Sequence, residues 1–191
     1  MKVSKDRSIA FAWFGFIGVA AFIIAWVSAD AIDTVWQFGI NNISDLGVSD
    51  TDAKLYFNYG CIIAGILLVI MGIGRAVYAK NAGHTAGGVL IIFGSIALAL
   101  VGWFTADDGD LHTFVAVFAA LLIFLAMIAI AAGNWAAGRK VFAGVSIIIV
   151  FLVTAMLFAY DIAGLEAYGI ILAMIWFLVE SVNMIYSSKK S

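Results

Sequence analysis

Asp108, Asp110 and His112 stand within five positions of one another, at the start of an apolar run. Two carboxylates and an imidazole at that spacing can ligate a cation or pass a proton; an unperturbed histidine titrates near pH ~6.5. Ser44-Asp45, Asn58 and Glu166 carry groups of the same kind elsewhere in the chain. The topology derived below brings all these positions to one membrane level. Ser44, Asp45, Asn58, Asp108, Asp110, His112 and Glu166 are therefore expected to converge as an outer polar site. The simplest task for such a cluster is to hold a loop over the helix ends; binding a cation or a lipid head group is the alternative. A zinc centre uses about three or four close ligands, with histidine or cysteine predominating. This chain has two histidines, far apart, and one cysteine, Cys61, inside an apolar run. Neither a metal nor a cofactor is expected, and there is no GxSxG elbow, phosphate loop or nucleic-acid-binding patch.

Glu180 is the sharpest anomaly. It falls inside the last apolar segment, on the cytoplasmic side of its midpoint. An ionisable group at such depth is costly and by default marks a functional position. Arg75, near the end of the second apolar segment, can reach it, and Asn183, one helical turn on, can complete the contact. Arg75, Glu180 and Asn183 are thus expected as an intramembrane cluster. It would serve as a structural ion pair or as part of a proton relay or substrate site.

The elements that position these groups follow from composition. The chain has 191 residues, 65% of them hydrophobic and 12% charged. A soluble domain could not hide that much apolar surface, whereas lipid accepts it. There is no proline, so helix breaks must come from glycine pairs or polar insertions. Apolar segments run at about residues 9–28, 53–79, 86–106, 111–133, 140–160 and 164–186. Each is near the ~20 residues that cross a ~30 Å hydrocarbon core. The expectation is one all-α integral membrane domain over residues 1–191. It is a bundle of six transmembrane helices, with a long outer loop between helices 1 and 2. The first segment is longer than a signal-peptide core and reads as a retained helix. In the long loop, Ile32, Val35, Trp36 and Ile40 fall near helical spacing and predict a short interfacial helix. Asn42-Ile43-Ser44 also fits the glycosylation sequon. Trp26, Trp103 and Trp135 fall at segment ends, as interfacial aromatic belts do.

Charge sets the orientation. With six spans, both termini share a side. Lys2, Lys5, Arg7, Arg75, Lys80, Arg139, Lys140, Lys189 and Lys190 lie there, nine of the ten basic residues; only Lys54 lies opposite. The positive-inside rule then places both termini in the cytoplasm, across the cell membrane. Asp30, Asp33, Asp45, Asp50, Asp52, Asp107, Asp108, Asp110, Asp161 and Glu166 gather on the outer side. Such an acidic cap attracts cations.

Four patches, in order along nearly the whole chain, carry a resemblance. They are Ile43-Ser44-Asp45-Leu46-Gly47; Tyr56-Phe57-Asn58-Tyr59-Gly60; Gly102-Trp103-Phe104 followed by His112-Thr113 and Ala116; and Gly164-Leu165-Glu166. The chain resembles the uncharacterised six-helix membrane proteins of archaea and some bacteria, which are related in pattern to the DRAM/Sfk-type proteins. Asn42 and Thr105 stand near places where that family often has proline. The resemblance implies six helices and a lipid-related role, without a known reaction. The zinc-dependent CREST hydrolases are a more distant comparison, and their three-histidine pattern is not met.

Three functions fit these residues. The first is a protein that binds membrane lipids, a membrane-protein partner or a second copy of itself, without turnover. The second is a membrane-embedded enzyme acting on lipid head groups through the outer Asp/His set. The third is a cation or proton pathway from the acidic cap to Glu180. A tightly filled core favours the first, a cavity reaching His112 the second, and a continuous polar path the third.

Overall fold

With no proline to interrupt them, the apolar segments fold as long helices. The computed structural model describes residues 2–189, with side chains from residue 6 onward. Lys190 of the basic set lies outside the described residues, and the side chains of Lys2 and Lys5 are not among those described. The helices are α1 (Lys2–Ile32), α2 (Ala53–Val77), α3 (Ala82–Trp103), α4 (Asp110–Ala136), α5 (Lys140–Ala159) and α6 (Ile162–Lys189). All six are long and apolar enough to cross a membrane. Their ends differ from the hydropathy boundaries where polar residues continue or start a helix. The charged head of the chain extends α1. Asn81 starts α3 by accepting the His84 N–H at 3.0 Å, an N-cap that hydropathy alone does not see.

Successive helices pack side by side, and α1 closes the ring against α6. Small residues let α2 and α3 approach closely. A Cβ added at Gly65 on α2 would stand 2.6 Å from the Ser95 carbonyl oxygen and 2.8 Å from the Ala99 nitrogen on α3. Two hydrophobic clusters fill the ring. One holds Leu68, Met71, Ile91, Ile130, Trp176 and Phe177. The other lies nearer the end opposite the termini and holds Phe22, Trp36, Ile43, Leu46, Phe57 and Val115. Helix α5 is the least enclosed, burying Ala143, Ser146 and Ile149. It is tied to α6 by the Trp176 indole N–H donating to the Ser146 hydroxyl at 3.1 Å.

The long loop departs from expectation. No helix forms over residues 33–42. Asp33 Oδ1 accepts the N–H groups of both Val35 and Trp36 at 3.0 Å, a local turn that competes with helix continuation. Gly39 then takes a φ of 74°, a left-handed conformation suited to glycine. A short 3₁₀ helix follows at Ile43–Val48 and inserts Ile43, Ser44, Leu46 and Gly47 into the bundle. Trp36 is pinned above it, its indole N–H donating to the Asn42 carbonyl at 2.8 Å.

The α2–α3 seam can be tested with two alanines. Gly65→Ala should destabilise the bundle by about 1–3 kcal/mol, the usual cost of overpacking. At Gly144 an added Cβ meets nothing within 4 Å, so Gly144→Ala should be neutral or stabilise by up to about 1 kcal/mol through its helix preference. Thermal unfolding in detergent reads both; equal melting temperatures for the two variants would contradict the seam.

Candidate functional site

At the end opposite the termini, the polar side chains hold the loop. Glu166, near the start of α6, accepts the Ile43 N–H at 3.1 Å and faces the Ser44 N–H. Asn58 on α2 donates through Nδ2 to the Gly47 carbonyl at 2.9 Å. Asp45 accepts the Asn42 N–H at 2.9 Å within the loop itself. His112 is buried at the start of α4, with Nδ1 2.7 Å from the Phe104 carbonyl, to which it donates. It also comes within electrostatic reach of Glu166. Asp108 and Asp110 are exposed on the hairpin between α3 and α4. The structure thus gathers Ser44, Asn58, His112 and Glu166 around the inserted loop and leaves the two hairpin carboxylates in the open. Among the described residues no group of three or more His, Cys, Asp or Glu side chains is placed to hold a metal ion.

The opposite end carries a buried polar network across four helices. Arg75 Nε on α2 lies 2.6 Å from Glu180 Oε1 on α6, and both side chains are buried. Asn183, one turn on from Glu180, donates through Nδ2 to Glu180 Oε2 at 2.7 Å and to Asn134 Oδ1 on α4 at 2.9 Å. His84 Nε2 on α3 is 3.1 Å from the same Asn134 oxygen. Arg139 closes the network. Its Nη1 donates to Asn183 Oδ1 at 3.0 Å, and its Nη2 lies 2.8 Å from His84 Nε2 and 3.2 Å from Nδ1. A guanidinium only donates, so a ring nitrogen of His84 must serve as its acceptor.

Local sequence explains how Arg139 reaches this position. Helix α4 ends with Gly138 at a φ of 73°. The Arg139 N–H bonds the Asn134 carbonyl at 2.8 Å and the Gly138 N–H bonds the Trp135 carbonyl at 3.1 Å. That pairing is the Schellman C-cap, and it needs a residue that tolerates the left-handed region. The turn folds Arg139 back against α3 and α6. Burial, then the neighbouring Arg75, pull its guanidinium below the usual arginine range, with Glu180 opposing them; a guanidinium nevertheless stays protonated.

Arg139 also stands on the wall of a cleft of about 570 Å³, shared by the α2–α3 turn, the α4–α5 turn and the last turns of α6. Lys80, Lys140, Phe142 and Tyr186 line it too. A second cleft, about 520 Å³, runs between α1 and α2 over Ile24, Leu55, Tyr56 and Tyr59. Neither is lined by His112.

Sequence reasoning singled out Arg75, Glu180 and Asn183 but passed over His84, Asn134 and Arg139. His84 and Arg139 fell in connections, and the fourth segment was ended one residue before Asn134. The available signal was an amide followed by Gly138-Arg139 at a helix end, with a histidine three residues after an N-capping asparagine.

Six membrane-length apolar helices in a ring, with polar clusters at both ends, make this an all-helical protein of multi-pass, membrane-like type. Residues 16–183, from α1 to α6, match the family described as "Protein of unknown function (DUF998)", and the chain belongs to that family. It is an uncharacterised family, as the four sequence patches implied. No curated protein and no solved structure matches the chain.

Removing one member of a buried ion pair costs about 3–5 kcal/mol because the other is left uncompensated. Glu180→Gln should therefore lower the melting temperature in detergent, and adding Arg75→Gln should lower it little further. An unchanged melting temperature in Glu180→Gln would rule out a buried charged pair.

The loop offers a pH test. A hydrogen bond from Ser49, then the Val35 and Trp36 N–H groups, hold the Asp33 carboxyl below its usual range against the opposing effect of burial. A depressed carboxyl stabilises the loop above the ordinary range, and that contribution is lost as pH falls through the lowered value. Hydrogen-exchange protection at Val35 and Trp36 should decline as the pH drops below ~3.9. In Asp33→Asn the acid-dependent decline should shrink; an identical decline in both proteins would remove Asp33 from the account.

Proposed function

We propose that this is a multi-pass protein of the cell membrane, with both termini cytoplasmic, that binds membrane lipid and neither conducts nor converts a solute. The observation that carries the reading is the filled interior. Leu68, Met71, Ile91, Ile130, Trp176 and Phe177 are packed between the loop-holding groups at one end and the Glu180 network at the other. A proton or cation pathway needs a polar route through that region. Head-group chemistry at His112 would need an opening there, and its ring is engaged with the Phe104 carbonyl. Recognition at the lipid-facing surface and helix ends needs neither. The distribution of basic residues supports the orientation. The outer acids would then keep anionic solutes away from the loop.

A membrane-protein neighbour or a second copy is the other reading. The exposed flank of α5 favours it, where Phe151 and Phe158 are 69% and 87% exposed.

Native mass spectrometry of the full chain released from mild detergent reads both at once. Phospholipid adducts that survive detergent removal are expected on a monomer. A lipid-free chain, or solute flux in protein-containing liposomes, would overturn the lipid reading; a lipid-free dimer would favour the second. Orientation is checked with Asp108→Cys in a Cys61→Ala background, which an impermeant maleimide should label from outside intact cells. Labelling only after the membrane is opened would reverse the topology.

A further inference from the structure

We propose that the cleft beside Arg139 is a binding site for the phosphate head group of an acidic phospholipid in the cytoplasmic leaflet. The inference rests on the lipid-binding reading above and names the site and the ligand class.

Charge is the first reason. The buried network holds two guanidinium groups, Arg75 and Arg139, against one carboxylate, Glu180. Glu180 is committed, with Oε1 against Arg75 and Oε2 accepting from Asn183. Arg75 Nη2 and Asn134 Nδ2 are buried donors without an acceptor in the protein. An excess of positive charge and of donors at membrane depth calls for an anion. The half-buried Arg139 carries that excess to the cleft wall, which Lys80 and Lys140 also line.

Preorganisation is the second. The Schellman turn fixes the Arg139 backbone, and bonds to Asn183 and His84 hold its guanidinium from the inner side. These bonds engage two of the five N–H donors that a guanidinium has, leaving its planar fork suited to the oxygens of a phosphate.

The shape of the cleft selects a lipid over a free phosphate. Its cationic wall passes into Val141, which is 78% exposed, and the Phe142 ring packed on Tyr186 at 5.6 Å. Nearby, Lys140 Nζ lies 3.5 Å from the centre of the Trp135 ring, an aromatic–cation pair typical of the interface. A head group would meet the cations while its glycerol and acyl carbons follow Val141 and Phe142. Basic pockets between helices at the cytoplasmic surface recognise acidic head groups in this way. The volume lies within the ~300–1,000 Å³ of small-ligand sites.

The test uses the full chain in phosphatidylcholine nanodiscs doped with phosphatidylglycerol, with bound lipid read by native mass spectrometry. Phosphatidylglycerol should be retained in preference to phosphatidylcholine. Arg139→Gln should weaken that preference about tenfold, the size of one charged hydrogen bond. Because Arg139→Gln also touches the network, Val141→Glu is the second variant. It places a carboxylate at the exposed mouth of the cleft and should weaken the preference similarly with an unchanged melting temperature. Lys54→Gln, at the far end of the bundle, should leave it intact. Lipid retained without head-group preference, and unaffected by either cleft variant, would overturn the inference while lipid binding stands. Retention of no lipid would overturn both. Displacement of phosphatidylglycerol by inorganic phosphate or glycerol 3-phosphate at equal concentration would assign the cleft to a soluble phosphate ester and overturn the lipid assignment.

Discussion

The Arg75–Glu180 contact is the constraint on which the rest of the bundle depends. Two opposite charges in a low-dielectric interior are tolerated when they meet. Meeting that condition fixes the register of α2 against α6 and recruits Asn183 to the second carboxylate oxygen. Asn183 in turn sets the height of Asn134 on α4, and Asn134 that of His84 on α3. A buried pair often contributes little net stability compared with an apolar replacement. Its effect here is on geometry, because a helix shifted by one turn would leave a charge without its partner. The apolar residues above it do not impose that choice, since Leu, Ile and Val pack acceptably in several registers.

The two ends of the bundle use similar residues differently. At the loop end, carboxylate, amide and imidazole are matched mainly to backbone groups: Glu166 to Ile43, Asn58 to Gly47 and His112 to Phe104. Those partners come from segments that no helix could satisfy, so the side chains complete the backbone of the loop. At the opposite end, side chain meets side chain, and donors outnumber acceptors. The first arrangement closes a surface. The second leaves an electrostatic demand beside an open one.

The sequence made some of this legible and obscured the rest for identifiable reasons. Six apolar runs in a proline-free chain leave few alternatives to six long helices. Glu180 and Arg75 stand out because a charge in an apolar run needs an explanation. His84, Asn134 and Arg139 were hidden because hydropathy averages over a window and rounds off helix ends, where Asn81 and Gly138 do their capping. The short helix expected after Ile32 was lost to Asp33, whose carboxylate offers two backbone N–H groups a local acceptor. Asp108 and Asp110 share a connection with His112 but point elsewhere. Gly109, at a φ of 60°, turns the chain sharply between them, and such a reversal is invisible to spacing in sequence.

The ring closes between its first and last helices, and several of its long-range polar contacts wait for that closure. Arg75 is synthesised with the second helix and Glu180 with the sixth. Ile43 awaits Glu166 in the same way, and Ser8 of α1 awaits the Ser188 hydroxyl at 2.8 Å. With only five helices in place, the Arg75 guanidinium at one end lacks its carboxylate and the loop at the other lacks its fastening. Packing of α6 satisfies both together, so one element completes the two ends of the bundle at once.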